Sequence, residues 1–135
     1  MRLPAADPAR PLAIAAFERL GLIGLGLDLV QHILLFPRRS AKNGALFEIA
    51  MGPLTLLFIL VLILLVSRKR SRAAQWLLLM LVAGAAAMSI ATARTWIGDP
   101  PLILGAVSSL LAAVAVAFTF APSARAWLSE PKASG

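Results

Sequence analysis

The chain contains no cysteine and no tyrosine, a single histidine and few charged residues. Without cysteine it has no disulfide, no thiolate metal ligand and no cysteine nucleophile. A single histidine, in a sequence with no evident Ser/His/Asp arrangement, argues against a classical zinc enzyme or a triad hydrolase. Charged residues make up 14% of the chain, whereas soluble domains contain about 25%. These absences favour a protein that is not an enzyme and holds no cofactor.

Apolar residues dominate the composition, at 60% of the 135 residues. The mean hydropathy is +0.87. A helix needs roughly 20 apolar residues to cross a bilayer, and three uncharged runs are long enough: 49–66, 73–93 and 100–124. This composition excludes an ordinary soluble domain and a disordered chain. It predicts helices whose surroundings are lipid.

A fourth span is predicted over 20–36, although this segment carries Asp28, Gln31 and His32. An acid at the centre of a span costs about 2.5–3.5 kcal/mol, which neighbouring leucines can offset. The alternative is an amphipathic helix that lies in the membrane interface and is followed by three spans. We predict the four-span arrangement, an all-α polytopic membrane protein folded as a four-transmembrane-helix bundle.

The predicted organisation is one membrane domain between two polar ends. Residues 1–11 are expected to form a disordered cytoplasmic leader, and residues 123–135 a cytoplasmic tail with a short interfacial segment. The membrane domain covers 12–122, with spans at about 14–36, 45–66, 73–94 and 100–121. Three tryptophans fall at predicted membrane interfaces, where the indole ring prefers to lie: Trp76, Trp96 and Trp127.

Prolines and glycines mark the predicted ends of the helices. Pro37 follows the first span and is expected to end its helix. Asn43-Gly44 predicts a turn before the second span. Asp99-Pro100 is typical of an N-cap followed by proline in the first helical turn, so the last span is expected to begin there.

Basic residues are distributed unevenly between the two sides of the predicted bundle. Nine of the 13 Lys and Arg residues lie on the side that holds both termini and the second loop. Because cytoplasmic loops carry an excess of Lys and Arg, both termini are predicted to be cytoplasmic. Topology thus explains the net charge of +7, and no nucleic-acid partner is expected. The densest group, in the second loop, is also a candidate site for anionic lipid headgroups: Arg68, Lys69, Arg70 and Arg72.

Asp28 is the most unusual residue, because it is an ionisable group near the middle of a span. Such groups face the bundle interior and are candidate functional sites. The spacing of three and four residues places Gly21, Gly24 and Asp28 on one helical face with Gln31 or His32. Small residues on this face admit a second helix, and polar ones find partners across it. His32 lies one turn from Asp28, within hydrogen-bonding reach, and the pair is the minimum for a proton relay.

Glu48 and Arg94 extend this pair into a candidate polar cluster. Glu48 near the start of the second span and Arg94 at the end of the third are predicted at about the depth of His32. With Gln31 these residues could line one pocket that opens away from the cytoplasm, with Asp28 deeper. The alternative interpretation is structural: Asp28 and His32 satisfy each other or a neighbouring helix and set the helix register.

Two short motifs resemble those of small uncharacterised bacterial four-transmembrane-helix inner-membrane proteins. One is Phe17-Glu18-Arg19-Leu20 at the entry to the first span, and the other is the basic stretch 67–76, which ends in tryptophan. The resemblance implies a multi-pass protein of the bacterial inner membrane. It assigns no activity to any residue.

Two functional hypotheses follow from the sequence. The first is a non-enzymatic accessory, regulatory or structural membrane component, which packs against other membrane proteins through small-residue faces. Gly84 with Ala83, Ala87 and Ala91 is one such face. The alternative is a small oligomeric proton-linked transporter or channel that uses the acid and the imidazole of the first span. The expected partners are the lipid bilayer and either a second copy or another membrane protein.

Overall fold

The computed structural model describes residues 10–130, which form helices and, within that range, no strand. Four of the helices are long and apolar enough to cross a membrane, which confirms the predicted all-α four-helix membrane bundle. Most of the predicted leader (1–9) and the last part of the predicted tail (131–135) lie outside the described residues. The helices are α1 (Leu12–Asn43), α2 (Ala45–Lys69), α3 (Arg72–Ala91), α4 (Ala93–Trp96), α5 (Pro100–Phe118) and α6 (Pro122–Ser129).

The four long helices form a ring of antiparallel neighbours. α1 packs against α2 and, most extensively, against α5, while α3 closes the ring by contacting both α2 and α5. We call the end of the bundle that holds the start of α1, the α2–α3 turn and α6 the terminal end. The opposite end holds the α1–α2 turn at Gly44 and the start of α5 at Asp99. There Gly44 adopts a φ of 95°, as the Asn43-Gly44 turn signal predicts.

Two glycines of α1 bring it close to both neighbours, in agreement with the predicted small-residue face. Gly21 and Gly24 are buried. A Cβ atom added at Gly21 would lie 3.1 Å from the side chain of Ile63 on α2, and one at Gly24 would lie 3.5 Å from the backbone of Ser108 on α5. Larger residues would separate the helices here, so these glycines set the interhelical distance.

The prediction that Pro37 ends the first helix is wrong, because α1 continues through it to Asn43. Proline removes one helical hydrogen bond and crowds the preceding turn, a cost of about 3 kcal/mol. The continuing turn makes a tertiary contact, in which Arg38 Nη1 donates to Asp99 Oδ2 at 2.7 Å. Asp99 occupies the predicted N-cap position of α5, with Pro100 in the first turn, but its side chain makes no capping bond. Its carboxylate is used by Arg38 instead.

A tight turn joins α2 to α3 at the terminal end. Arg70 closes α2 in the left-handed conformation, with φ 53° and ψ 36°, and its N–H donates to the carbonyl of Leu65. Ser71 then begins α3, and its side chain accepts a hydrogen bond from the N–H of Ala74. The left-handed conformation costs a non-glycine residue roughly 1–2 kcal/mol.

The short helix α6 covers the terminal end of the bundle. Its buried residues Ala124, Trp127 and Leu128 join the hydrophobic core formed with α1, α2, α3 and α5. The sequence predicts Trp127 at the lipid interface, yet only 4% of it is exposed. It packs inward because Pro122 starts a new helix that folds back over the core. Trp76 fits the interfacial prediction better, since 52% of it is exposed.

Large apolar side chains remain exposed around the ring. Leu46 is 85% exposed, Met80 71% and Leu110 65%. In water such a surface would drive aggregation, whereas in a bilayer it is matched by the lipid tails. The bundle is therefore built with lipid as its solvent, and its buried polar groups stand out against that background.

Candidate functional site

Asp28 lies midway along α1, where the helix faces α5. Ser108 Oγ of α5 lies 2.6 Å from Asp28 Oδ1 and 2.9 Å from the carbonyl oxygen of Gly24. A hydroxyl carries one proton, so Ser108 donates to one of these acceptors at a time. When Asp28 is ionised, its carboxylate accepts the hydrogen bond from Ser108. When Asp28 is protonated, it can donate to Ser108, which then donates to the carbonyl of Gly24. The carboxyl group is therefore hydrogen-bonded to Ser108 in both protonation states.

Gln31 and His32 follow on α1, and each packs against a glycine of a different neighbouring helix. The imidazole of His32 lies against Gly52 of α2, so closely that a methyl group built there would overlap the ring. The amide of Gln31 lies in the same way against Gly105 of α5. Gly52, which directly precedes Pro53 in α2, therefore leaves the space that the imidazole occupies.

Asp28 and His32 do not satisfy each other directly. Within residues 10–130 the hydrogen bonds include none between them; Asp28 turns to α5 and His32 turns to α2. The structural interpretation in which the two side chains pair is therefore wrong for this arrangement. The version in which Asp28 bonds a neighbouring helix agrees with the Ser108 contact.

A polar cleft of about 240 Å³ lies between α1 and α2, in the half of the bundle away from the terminal end. A space of this size has room for several water molecules. Glu48 forms part of its wall and is only 6% exposed. Asn43 Nδ2 donates to Glu48 Oε1 at 2.8 Å. The polar lining consists of Asp28, Gln31, His32, Arg39, Glu48 and Thr55.

A second, smaller cavity of about 100 Å³ lies at the centre of the ring, toward the terminal end. Its walls are apolar side chains from all four long helices, with serines from α5. Among the described residues that line it, Asp28 is the only ionisable one, and Asp28 also lines the polar cleft. This carboxyl group therefore stands at the boundary between a polar and an apolar compartment.

Four of the five residues predicted as a polar cluster line the same cleft: Asp28, Gln31, His32 and Glu48. The fifth, Arg94, does not. It lies on α4 with its side chain exposed, because α3 ends at Ala91 and the chain turns before the predicted end of the span. Arg39 supplies the positive charge in its place.

Sequence analysis did not include Arg39 in the polar cluster, because it places the end of the helix at Pro37. The spacing does indicate it: Arg39 lies seven residues after His32, which lies four residues after Asp28, so the three share a helical face if the helix continues. Ser108 was missed as well. A serine in an alanine-rich span has no distinctive sequence signal, and only the packing of α1 on α5 brings it to Asp28.

The basic group of the second loop is divided among different partners at the terminal end. Arg68 Nη2 lies 3.3 Å from Glu18 Oε1, while Arg10 Nη1 lies 2.7 Å from Glu18 Oε2. Arg70 Nη1 lies 3.5 Å from a carboxylate oxygen of Glu130. Its guanidinium also sits 4.6 Å from the ring centre of Trp127, a cation–π contact.

The rest of this basic group is less enclosed: Lys69 is half-buried and Arg72, the first residue of α3, is exposed. Below the loop, the buried amide of Gln75 donates to the side-chain oxygen of Thr119 at 3.0 Å. This bond ties the start of α3 to the end of α5.

No protein-family profile, curated protein or solved structure matches this chain.

Proposed function

We propose that this multi-pass protein is a small oligomeric proton-linked transporter or channel, in which Asp28 takes up and releases the proton. One observation carries the proposal: the Asp28 carboxyl group borders both the polar cleft and the apolar cavity. Ionisable groups inside a membrane are costly and mark proton relays and substrate pathways. His32 and Glu48, which line the same cleft, are the relay groups between Asp28 and the opposite end.

The chemistry of the two compartments supports a protonation cycle. In the cleft, ionised Asp28 has the charge of Arg39 nearby. The Ser108 hydroxyl, which lines the cavity, bonds the Asp28 carboxyl group from the other side. In the apolar cavity an ionised carboxylate would cost several kcal/mol, whereas the neutral acid costs far less. Proton uptake from the cleft is thus the step that allows Asp28 to turn toward the cavity.

The experiment uses purified protein in liposomes with an imposed pH gradient and a trapped pH-sensitive dye. Wild type is expected to dissipate the gradient, and Asp28→Asn to abolish this flux. The amide still accepts a hydrogen bond from Ser108, so the fold is retained. Glu130→Gln is the matched control, because it removes an exposed acid at the terminal end, far from the cleft. Infrared difference spectra should also show a carboxyl band that titrates in wild type and is missing in Asp28→Asn.

Absence of wild-type flux together with absence of a titrating carboxyl band would refute the proposal. Equal flux in wild type and Asp28→Asn would remove Asp28 from the pathway. Equal loss of flux in Glu130→Gln would show that the change acts through general charge or folding rather than through the cleft.

A second candidate function, an accessory component that docks a transmembrane helix of another membrane protein, rests on a groove between α3 and α5. Two neighbouring hollows of about 370 and 420 Å³ share Ala86 and Ala113, so they form one groove along both helices. Its lining is apolar with many alanines, which suits close helix packing in lipid. The predicted stripe at Gly84 faces outward too, since nothing lies within 4 Å of a Cβ atom built there.

Filling this groove tests the second candidate. Ala86→Leu with Ala113→Leu should reduce the size of the assembly that wild type forms in gently solubilised membranes. Val114→Leu, on an exposed position of α5 outside the groove lining, should leave it unchanged. Recovery of a differently tagged second copy would identify self-association instead, and a monomeric wild type would refute docking at this groove.

We further propose that the membrane is a bacterial inner membrane and that the terminal end faces the cytoplasm, as the excess of basic residues at that end suggests. A reporter that is active only in the cytoplasm, fused after Gly135, should then be active. A silent reporter, with activity from the same reporter inserted after Gly44, would invert the orientation.

A further inference from the structure

A groove of about 360 Å³ lies at the terminal end, between the start of α3, the end of α5 and α6. It combines two arginines with apolar and aromatic walls. Its position is set by α6, which turns back at Pro122 and brings Arg125 to the side of α3. The lining residues are Arg72, Gln75, Trp76, Phe120, Arg125, Leu128 and Ser129.

The two arginines of the groove differ from Arg68 and Arg70 of the second loop. Arg68 and Arg70 lie against Glu18 and Glu130. By contrast, the side chains of Arg72 and Arg125 are exposed, and neither guanidinium pairs with a carboxylate among residues 10–130. Two cations without an internal counter-ion leave the groove with a positive charge, which an anion would complement.

The depth and the walls of the groove indicate what kind of anion. Arg72 is the first residue of α3, so the groove lies where the apolar helices begin. Trp76 packs edge-on against Phe120, with ring centres 5.8 Å apart, and half of its surface remains exposed. The arginines therefore lie at headgroup level, and the aromatic pair continues toward the lipid-facing surface.

We propose that this groove binds the headgroup of an anionic phospholipid. Arg72 and Arg125 hold the phosphate, and the acyl chains descend past Trp76 and Phe120. A lipid explains the joint presence of charge and apolar wall better than a soluble anion, which would use only the arginines. The site is independent of Asp28 and of proton flux.

The test measures binding of phosphatidylglycerol and phosphatidylcholine to the full chain in detergent by native mass spectrometry. A base near a charged lipid surface changes the affinity about fivefold. Arg72→Gln with Arg125→Gln should therefore weaken phosphatidylglycerol binding by about 30-fold, with phosphatidylcholine binding unchanged. Lys42→Gln with Arg94→Gln is the matched control, because it removes the same charge from exposed positions at the opposite end.

Several outcomes would overturn the proposal. Equal wild-type affinity for the two lipids, or equal weakening in the control variant, would show that no specific headgroup site exists. Competition by millimolar inorganic phosphate as effective as that of lipid would assign the groove to a soluble anion. If the double variant misfolds by circular dichroism, Arg125→Gln alone is expected to weaken binding about fivefold, and no change would refute the site.

Discussion

The contact between His32 and Gly52 makes a quantitative prediction about stability. In Gly52→Ala the new methyl group would overlap the imidazole, and overpacking of this kind costs about 1–3 kcal/mol. The same change gains about 0.5–1 kcal/mol from helix propensity. Taken together, the overlap and the helix propensity should lower the free energy of unfolding by roughly 0–2.5 kcal/mol.

Gly26→Ala separates the two contributions. Gly26 also lies within a long helix, but nothing lies within 4 Å of a Cβ atom built there. Both variants gain the same helix propensity. The difference of about 1–3 kcal/mol between their free energies of unfolding therefore reports the overlap alone. The assay is unfolding in mixed SDS micelles, followed by tryptophan fluorescence.

His32→Ala provides the second arm of this experiment. With the imidazole removed, Gly52→Ala should cost nothing from overlap, giving a coupling energy of about 1–3 kcal/mol in the double-mutant cycle. If Gly52→Ala and Gly26→Ala have equal stability in the wild-type background, the close packing of His32 on α2 is refuted. A coupling energy near zero would refute this packing as well.

Three further predictions use the same unfolding assay. Ser108→Ala should cost about 1 kcal/mol by removing the hydroxyl that bonds Asp28 and the Gly24 carbonyl, and an unchanged stability would contradict both contacts. Glu18→Gln should cost about 1–3 kcal/mol, because it leaves two guanidinium groups without their shared carboxylate; a neutral result would mean that these ion pairs contribute nothing. Trp127→Phe should lie within about 1 kcal/mol of wild type, since the indole N–H has no acceptor among the described residues. Trp127→Ala should lose about 3–5 kcal/mol of core packing, and a similar loss in Trp127→Phe would show that the Arg70 contact with the indole dominates.

Much of the helical architecture could be predicted from the sequence, because it depends on local composition. Long uncharged runs must form helices in lipid, where every backbone polar group needs an internal partner. Turns at Gly44 and Asp99 were predictable for a similar local reason. The continuation of α1 past Pro37 was not predictable, since proline usually ends a helix and the following turn packs against distant parts of the chain, as in the contact between Arg38 and Asp99.

The candidate site was predictable only in part. An acid and an imidazole one turn apart identified the face of α1 that borders the cleft, and Glu48 lines the same cleft. Ser108 and Arg39 could not be ranked above other polar residues without knowing which helices are neighbours. The prediction that Arg94 lines the cleft is wrong because α3 ends earlier than the apolar run suggests.

The sequence by itself determined that the chain is a helical membrane protein, because the free energy of transfer to lipid is a sum over local segments. The tertiary structure alone decided that Asp28 meets Ser108, that His32 packs on Gly52, and that Arg72 shares a groove with Arg125. These contacts depend on the order of helices around the ring and on their rotation. Such choices are settled by packing between distant segments, which no local pattern encodes.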